Sequence, residues 1–268
     1  MGLGKGVGSF TLLEFRFGEN VFAMRNVRIT LIAWTLLIGS PVAGAEETVS
    51  GIPAPGGYTR ATTEAGSFSR FCQTLELRGD SKKIHTWKGE ELNLGFHVFG
   101  VAKLPLLYKQ DLEQCADWAM RLWAEHHKAA GTLNKLTLYN YDGSKKPYRG
   151  SGESFEKFLR LRMAYSNSHS LKKGTQAVKE ADVRPGDLIV QNETGGIGHV
   201  SVILDAATAP NKPTVYLIGF SFMPAQEFHI EEAPATYGVS GWFTLDGFRR
   251  YVKDRLDLGE PVLRRFPE

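Results

Sequence analysis

Hydrophobic and polar positions change period several times along the chain, and each change predicts an element. The clearest helical stretch follows Asp111, where Leu112, Cys115, Ala119, Leu122 and Trp123 recur at helical spacing and form one apolar face. Asp111 is placed to cap this helix, Gln114 to reach back as in a capping box, and Gly131 to end it. A second amphipathic helix is predicted over 154–165, with Phe155, Phe158, Leu159 and Met163 turned inward. Shorter helices are predicted over 67–77 and 245–256. Strands are predicted over 84–87 and 94–101, around the turn at 88–91, and over 136–141, closed by Asp142-Gly143.

From Val183 onward the pattern is that of short strands. Pro185-Gly186-Asp187 is a turn, followed by a strand at 188–190. The segment 192–198 is a polar, glycine-rich loop, 199–204 a strand that opens with His199, and 215–222 a third strand after the loop 207–213. Three successive strands with local connections predict an antiparallel sheet. Helices come first and the sheet follows, so the expected class is α+β, with helices packed on a small antiparallel sheet in one domain over 67–268. Residues 46–66, with the run Gly51-Ile52-Pro53-Ala54-Pro55-Gly56-Gly57, read as a flexible linker.

The segment ahead of that linker carries an export pattern. Met24-Arg25-Asn26-Val27-Arg28 is a short positive start, 29–38 is an apolar run, and Ala43-Gly44-Ala45 offers small residues to a signal peptidase. The run is about half the roughly 20 apolar residues that a membrane span needs. The segment 24–45 is therefore expected to be a signal peptide, and 1–23, which place Glu14 and Glu19 ahead of the positive start, a mis-assigned start. A periplasmic or secreted location follows, with no integral membrane span in the mature chain.

Composition narrows the partners. The chain has 268 residues, 42% of them hydrophobic and 23% charged, enough apolar residues to bury a core. The net charge is +3, and with +2 of it ahead of residue 46 no basic cluster remains for phosphate neutralisation, so nucleic acid is not an expected partner. No His-Glu-x-x-His pattern or cysteine pair at metal spacing occurs, and no metal or cofactor is expected.

Two cysteines, Cys72 and Cys115, leave two readings open in an oxidising compartment: one disulfide, or a nucleophilic Cys115 beside an inert Cys72. Near a helix start the peptide dipoles lower a thiol pKa, which favours the thiolate. His199 opens a strand after the glycine-rich loop, and alternation puts it on one face with Ser201 and Ile203. A helix-start thiol and a sheet-edge imidazole form a papain-type pair when they meet, the imidazole taking the thiol proton and returning it to the leaving amine. Asp117 is expected to face away from Cys115 as a surface carboxylate favoured by the dipole.

Pro185-Gly186-Asp187-Leu188-Ile189-Val190 followed by Gly198-His199-Val200-Ser201-Val202-Ile203-Leu204 resembles the NlpC-type papain-like cysteine peptidases of cell walls. That resemblance implies a papain-like (NlpC-type) arrangement, with Cys115 and His199 catalytic and a peptide or peptidoglycan-like substrate. A longer resemblance, over about 67–252, is to a bacterial secreted domain-of-unknown-function family, number 4846. It rests on Gln114-Cys115-Ala116-Asp117, Met120-Arg121-Leu122, the Pro-Gly-Asp and Gly-His pair, and Ser221-Phe222-Met223-Pro224-Ala225-Gln226. It implies fold boundaries and lends no activity. The peptidases carry a polar residue on the strand after the histidine to orient its ring. Here Gly219 and Phe220 stand there, leaving Ser221 and Gln226 as orienting candidates, and Gln114 as a cap or an oxyanion donor. Two functions are carried forward: an exported cysteine hydrolase (peptidase or amidase) acting on cell-wall peptides, and a non-catalytic envelope protein that binds a wall peptide or protein partner.

Overall fold

The computed structural model describes residues 48–92 and 95–267. The expectations for 1–23 and for the signal peptide at 24–45 lie outside the described residues. After a 3-10 turn at Val49–Gly51 come β1 (Thr59–Arg60), α1 (Phe68–Gln73), β2 (Ile84–His85), β3 (Glu91–Leu92) and β4 (Val98–Val101). The middle of the chain holds α2 (Cys115–Ala129), β5 (Thr137–Tyr139), β6 (Lys145–Pro147), α3 (Phe155–Tyr165) and α4 (Ser168–Gly174). Then come β7 (Gln176–Ala177), β8 (Leu188–Gln191), β9 (His199–Thr208), β10 (Val215–Phe220), β11 (His229–Glu231), β12 (Gly238–Val239) and β13 (Trp242–Thr244), before α5 (Leu245–Arg255) and β14 (Val262–Arg265).

Strands β2 and β3 pair with each other, as do β5 and β6, and the other ten form one sheet in the order β12-β13-β10-β9-β8-β14-β7. Strand β1 lies beside the end of β9, while β11 continues from β10 to β4. Each pairing is antiparallel, for example Gln191 opposite His199 and Tyr216 opposite Ala206.

The expected papain-like (NlpC-type) arrangement, helices packed on a small antiparallel sheet, is corrected by this topology: the molecule is mostly a ten-stranded antiparallel sheet with few helices. The physical reason is strand length. β1, β7 and β12 have two residues each and β11 and β13 three, too few to show a period-two pattern in sequence.

Both faces of the sheet centre are covered. On one face Val200, Val202 and Leu204 of β9 pack with Ala116, Ala119 and Met120 of α2, Phe158 of α3 and Leu171 of α4. On the other, Ile203 and Ile218 pack with Phe248, Tyr251 and Val252 of α5. Strands β8 and β10 are therefore buried along their whole length, and β9 along all but its last residue. Helix α2 is a central helix rather than an amphipathic surface one, because every residue from Cys115 to Ala124 is buried.

Residues 48–66 correct the expected linker. Val49 is buried and its N–H donates to the Leu75 carbonyl at 3.0 Å. Thr59 pairs with Thr208, Arg60 meets the buried Asp205 carboxylate at 2.8 Å, and Trp242 Nε1 donates to the Pro53 carbonyl at 2.9 Å. The Gly and Pro content there produces turns fixed by tertiary hydrogen bonds.

The turn before β8 is held equally firmly. Gly186 has φ +95, a conformation that favours glycine, and a Cβ there would lie 2.8 Å from the Phe68 ring. Asp187 accepts the Arg184 N–H at 2.9 Å and the Arg265 guanidinium at 2.6 and 2.8 Å, which ties the turn to β14.

Candidate functional site

Helix α2 begins one residue after Gln114, which is its extended N-cap. The Gln114 side chain accepts from the backbone of Asp117, and the Asp117 carboxylate accepts the Gln114 N–H at 3.0 Å, a complete capping box. Asp111, expected as the cap, instead accepts the Ala225 N–H at 2.6 Å and the Gln114 side-chain amide at 3.0 Å. Cys115 is thus the first helical residue. Asp117 is buried rather than on the surface, and burial holds its carboxyl well above the usual range, with Oδ1 unpartnered.

The Cys115 thiol donates to the Gly198 carbonyl at 3.8 Å, and its residue is 7% exposed. Burial pushes this thiol up to about 12, outweighing the amide N–H groups of Val200, Ala116 and Cys115 that pull it down. The expected lowering by the helix start is therefore the smaller effect. Cys72 is also free, and burial pushes its thiol up too. No disulfide joins the two cysteines.

His199 is 1% exposed and shares the α5 face of the sheet, where its ring lies 5.2 Å from Phe220 and 5.6 Å from Phe222. Its Nε2 pairs with the Ser201 hydroxyl at 3.0 Å and its Nδ1 has no partner. Burial, with His229 adding to it, lowers its pKa to about 3, so the ring is neutral. Helix α2 packs on the opposite face, against Val200 and Val202. No hydrogen bond joins the Cys115 thiol to the His199 ring: the thiol meets the Gly198 carbonyl and the Val200 N–H, while alternation along β9 turns the ring toward α5. Ser221 and Gln226 are buried with no hydrogen bond to their side chains, and neither reaches the His199 ring. The Gln226 carbonyl accepts Trp118 Nε1 at 2.9 Å, a structural contact under α2.

Cys115 instead lines a cleft of about 450 Å³, with Gln114, Met163, Ser168, Ile197 and Met223 among its walls. The glycine-rich loop that closes one side is pinned by residues that the sequence pattern did not single out. Asn192, buried, donates to Ser168 Oγ at 2.8 Å and to the Gly196 carbonyl at 2.9 Å, and accepts the Gly195 N–H at 2.8 Å. Asn167 and Tyr141 each donate to the Gly195 carbonyl, at 3.2 and 3.0 Å. Gly198 permits this closeness, since a Cβ there would lie 2.3 Å from Ser168 Oγ and 2.4 Å from the Gln191 carbonyl. Asn167 also caps α4 through its side chain, and Asn-Ser-His-Ser is a helix-start pattern that could have revealed it.

Ile197, 65% exposed, lines the cleft with Leu112, Met163 and Met223, and Tyr141 stands exposed beside the same loop. Among the described residues no group of three or more His, Cys, Asp and Glu side chains is placed to hold a metal ion. No helix among them is long and apolar enough to cross a membrane.

Comparison with known families finds one profile, described as a domain of unknown function (4846), that matches residues 49–153 and 144–254. The chain belongs to this family. The matched stretches run from the 3-10 turn at Val49–Gly51 into α5, and so include both Cys115 and the loop that faces it. No curated protein and no solved structure matches the chain.

Proposed function

We propose that this family member is an exported, non-catalytic binding protein that takes a peptide in the cleft at the α2 N-terminus, the ligand being a wall peptide or a segment of an envelope protein. The observation that carries this reading is a cleft of about 450 Å³ at the start of α2 with the exposed Ile197 in its wall. Among the four large hydrophobic side chains exposed in the described residues, Ile197 lines this cleft beside Leu112, Met163 and Met223, and Tyr141 donates to the Gly195 carbonyl of the loop that carries Ile197. Exposed apolar groups that cluster around a concavity mark binding surfaces, whereas scattered ones carry no such meaning. Gln114 and Ser168 supply side-chain polar groups in the walls, suited to peptide amides. Export rests on the signal-peptide pattern at 24–45, and a periplasmic or secreted location is part of the proposal.

A cysteine hydrolase at the same cleft is the second reading, supported by one observation: the Cys115 thiol opens a helix of 15 residues and lines the cavity. That chemistry needs a base within hydrogen-bond reach of the sulfur. The Cys115 thiol is engaged by a carbonyl and His199 by a hydroxyl, so the arrangement supports binding better.

The two readings separate in one experiment. Purified peptidoglycan and its soluble stem peptides are given to wild type and Cys115→Ala. The binding reading expects similar stem-peptide affinity for both proteins and no released fragments by chromatography. Fragment release by wild type that disappears in Cys115→Ala would establish the hydrolase instead, and absence of stem-peptide binding would remove the wall ligand.

A further inference from the structure

The α5 face of the sheet holds a second cavity, of about 290 Å³, whose walls include Phe96, His199, Phe220, Phe222, Tyr251 and Arg255. Its chemistry differs from that of the α2 cleft. Three phenyl rings and a phenol form an apolar slot, and planar ligands pack well against such edges and faces. Within that slot His199 is the anomaly. It is 1% exposed, its Nε2 is satisfied by Ser201, and its Nδ1 meets no protein group. A buried imidazole nitrogen without a partner costs free energy that a ligand hydrogen bond recovers. The Tyr251 hydroxyl is already committed to the Glu231 carboxylate, so His199 is the polar group left for an occupant. At the surface end, the exposed Arg255 guanidinium lies 4.5 Å over the Tyr251 ring, a cation fixed at the mouth of an aromatic slot.

We propose that this cavity is a second ligand site, separate from the α2 cleft, for a small hydroxylated aromatic acid. Its ring lies between Phe96, Phe220 and Phe222, its hydroxyl meets His199 Nδ1, and its carboxylate stays at the wetter mouth beside Arg255. That orientation follows from desolvation. A carboxylate at the bottom of the slot would be buried beside a neutral ring, whereas a hydroxyl there needs one partner. The depressed pKa of His199, about 3, agrees with a neutral imidazole that can pair with a neutral hydroxyl.

Isothermal titration of the purified protein with 4-hydroxyphenylacetate tests the assignment. One saturable site is expected, with phenylacetate (no hydroxyl) and tyramine (positive head) each weaker by about tenfold, the loss of one hydrogen bond or one charge contact. Arg255→Glu, at an exposed position, is expected to weaken the acid by about tenfold while p-cresol, which has no charge, changes by less than about twofold. His199→Phe, which fills the slot, is expected to abolish binding of each probe. Should that variant not fold, Arg255→Glu still decides. The proposal is overturned by no saturable heat with 4-hydroxyphenylacetate, by equal affinity for the three charged probes, or by Arg255→Glu binding the acid as wild type does.

Discussion

The carbonyl that receives the Cys115 thiol belongs to Gly198, the residue peptide-bonded to His199, yet the His199 ring lies on the opposite face of the sheet from helix α2. One peptide unit thus carries a thiol contact toward the α2 cleft and an imidazole toward the α5 cavity. The His199 ring turns toward α5 because successive strand residues face opposite ways, while the thiol meets the backbone groups on either side of it.

The thiol comes first among the tests. Cys115 and Cys72 are both buried, and burial raises both thiols, so little thiolate exists at neutral pH. Iodoacetamide at pH 8 is expected to alkylate neither cysteine in the folded protein, and both once urea unfolds it. Mass spectrometry of the labelled protein reads this directly, and rapid native labelling of Cys115 alone would return the hydrolase reading to the front.

The ion pair beneath α2 makes a stability test. Arg121 is buried and donates to Glu113 at 2.6 Å, while Glu113 also accepts the Leu107 and Tyr108 N–H groups at 2.5 and 3.1 Å. Glu113→Ala leaves a buried guanidinium without its carboxylate and two loop N–H groups without an acceptor, and is expected to cost about 3–5 kcal/mol. Urea unfolding measures it, and a loss below about 1 kcal/mol would show that Arg121 finds water or Glu125 instead.

Much of this architecture was legible in the sequence, and the omissions have a common cause. Helices α2, α3 and α5 and strands β8, β9 and β10 are long enough to show their period, and they occupy the expected segments. The capping residue of α2 shifted because Asp111 and Gln114 both suit a helix start, and the choice is made by Ala225, distant in sequence, which takes Asp111 as its acceptor. Strand β14 depends on Arg265 reaching Asp187, again a long-range pair. The same limit governed the site. Alternation correctly groups His199 with Ser201 and Ile203, but a period states which residues share a face and not which helix covers it. The sequence marks the cleft loop as polar and glycine-rich, while the three side chains that fix it, Asn192, Asn167 and Tyr141, come from three separate segments.

Acid stability should carry the signature of His199. In the unfolded chain histidine titrates near about 6.5, while in the folded protein burial holds His199 to about 3. Between these values the unfolded state binds the extra proton, so this residue's contribution to stability is present above about pH 6.5 and is lost as pH falls toward 3. Asp117, Glu113 and Asp205, whose carboxyls burial raises, act in the opposite sense at acid pH. A difference between wild type and His199→Gln cancels them. The variant should gain on wild type by up to about 1.4 kcal/mol per pH unit as pH falls below 6.5. A difference independent of pH, measured by urea unfolding at several pH values, would mean that His199 is protonated or exposed in the folded state.

Rim and frame of the α2 cleft make separate contributions, and two substitutions distinguish them. Ile197 is exposed on a loop whose shape is set by other residues, so Ile197→Ser removes apolar contact area without touching the frame. Its expected effect is a weaker complex with the stem peptide, by about 1–2 kcal/mol, at unchanged stability. Asn192 is buried and makes two hydrogen bonds within the loop and one to Ser168 of α4, so Asn192→Ala leaves the Gly195 N–H without its partner, leaves the Gly196 carbonyl only the long 3.5 Å contact from Asn167, and frees Ser168. It is expected to lower both stability, by about 1–3 kcal/mol, and peptide affinity, because the loop no longer presents Ile197 in one place. Paired measurement of unfolding and peptide binding on the two variants separates contact from pre-organisation. If Ile197→Ser binds the peptide as tightly as wild type, the exposed Ile197 side chain has no part in recognition and the ligand lies elsewhere.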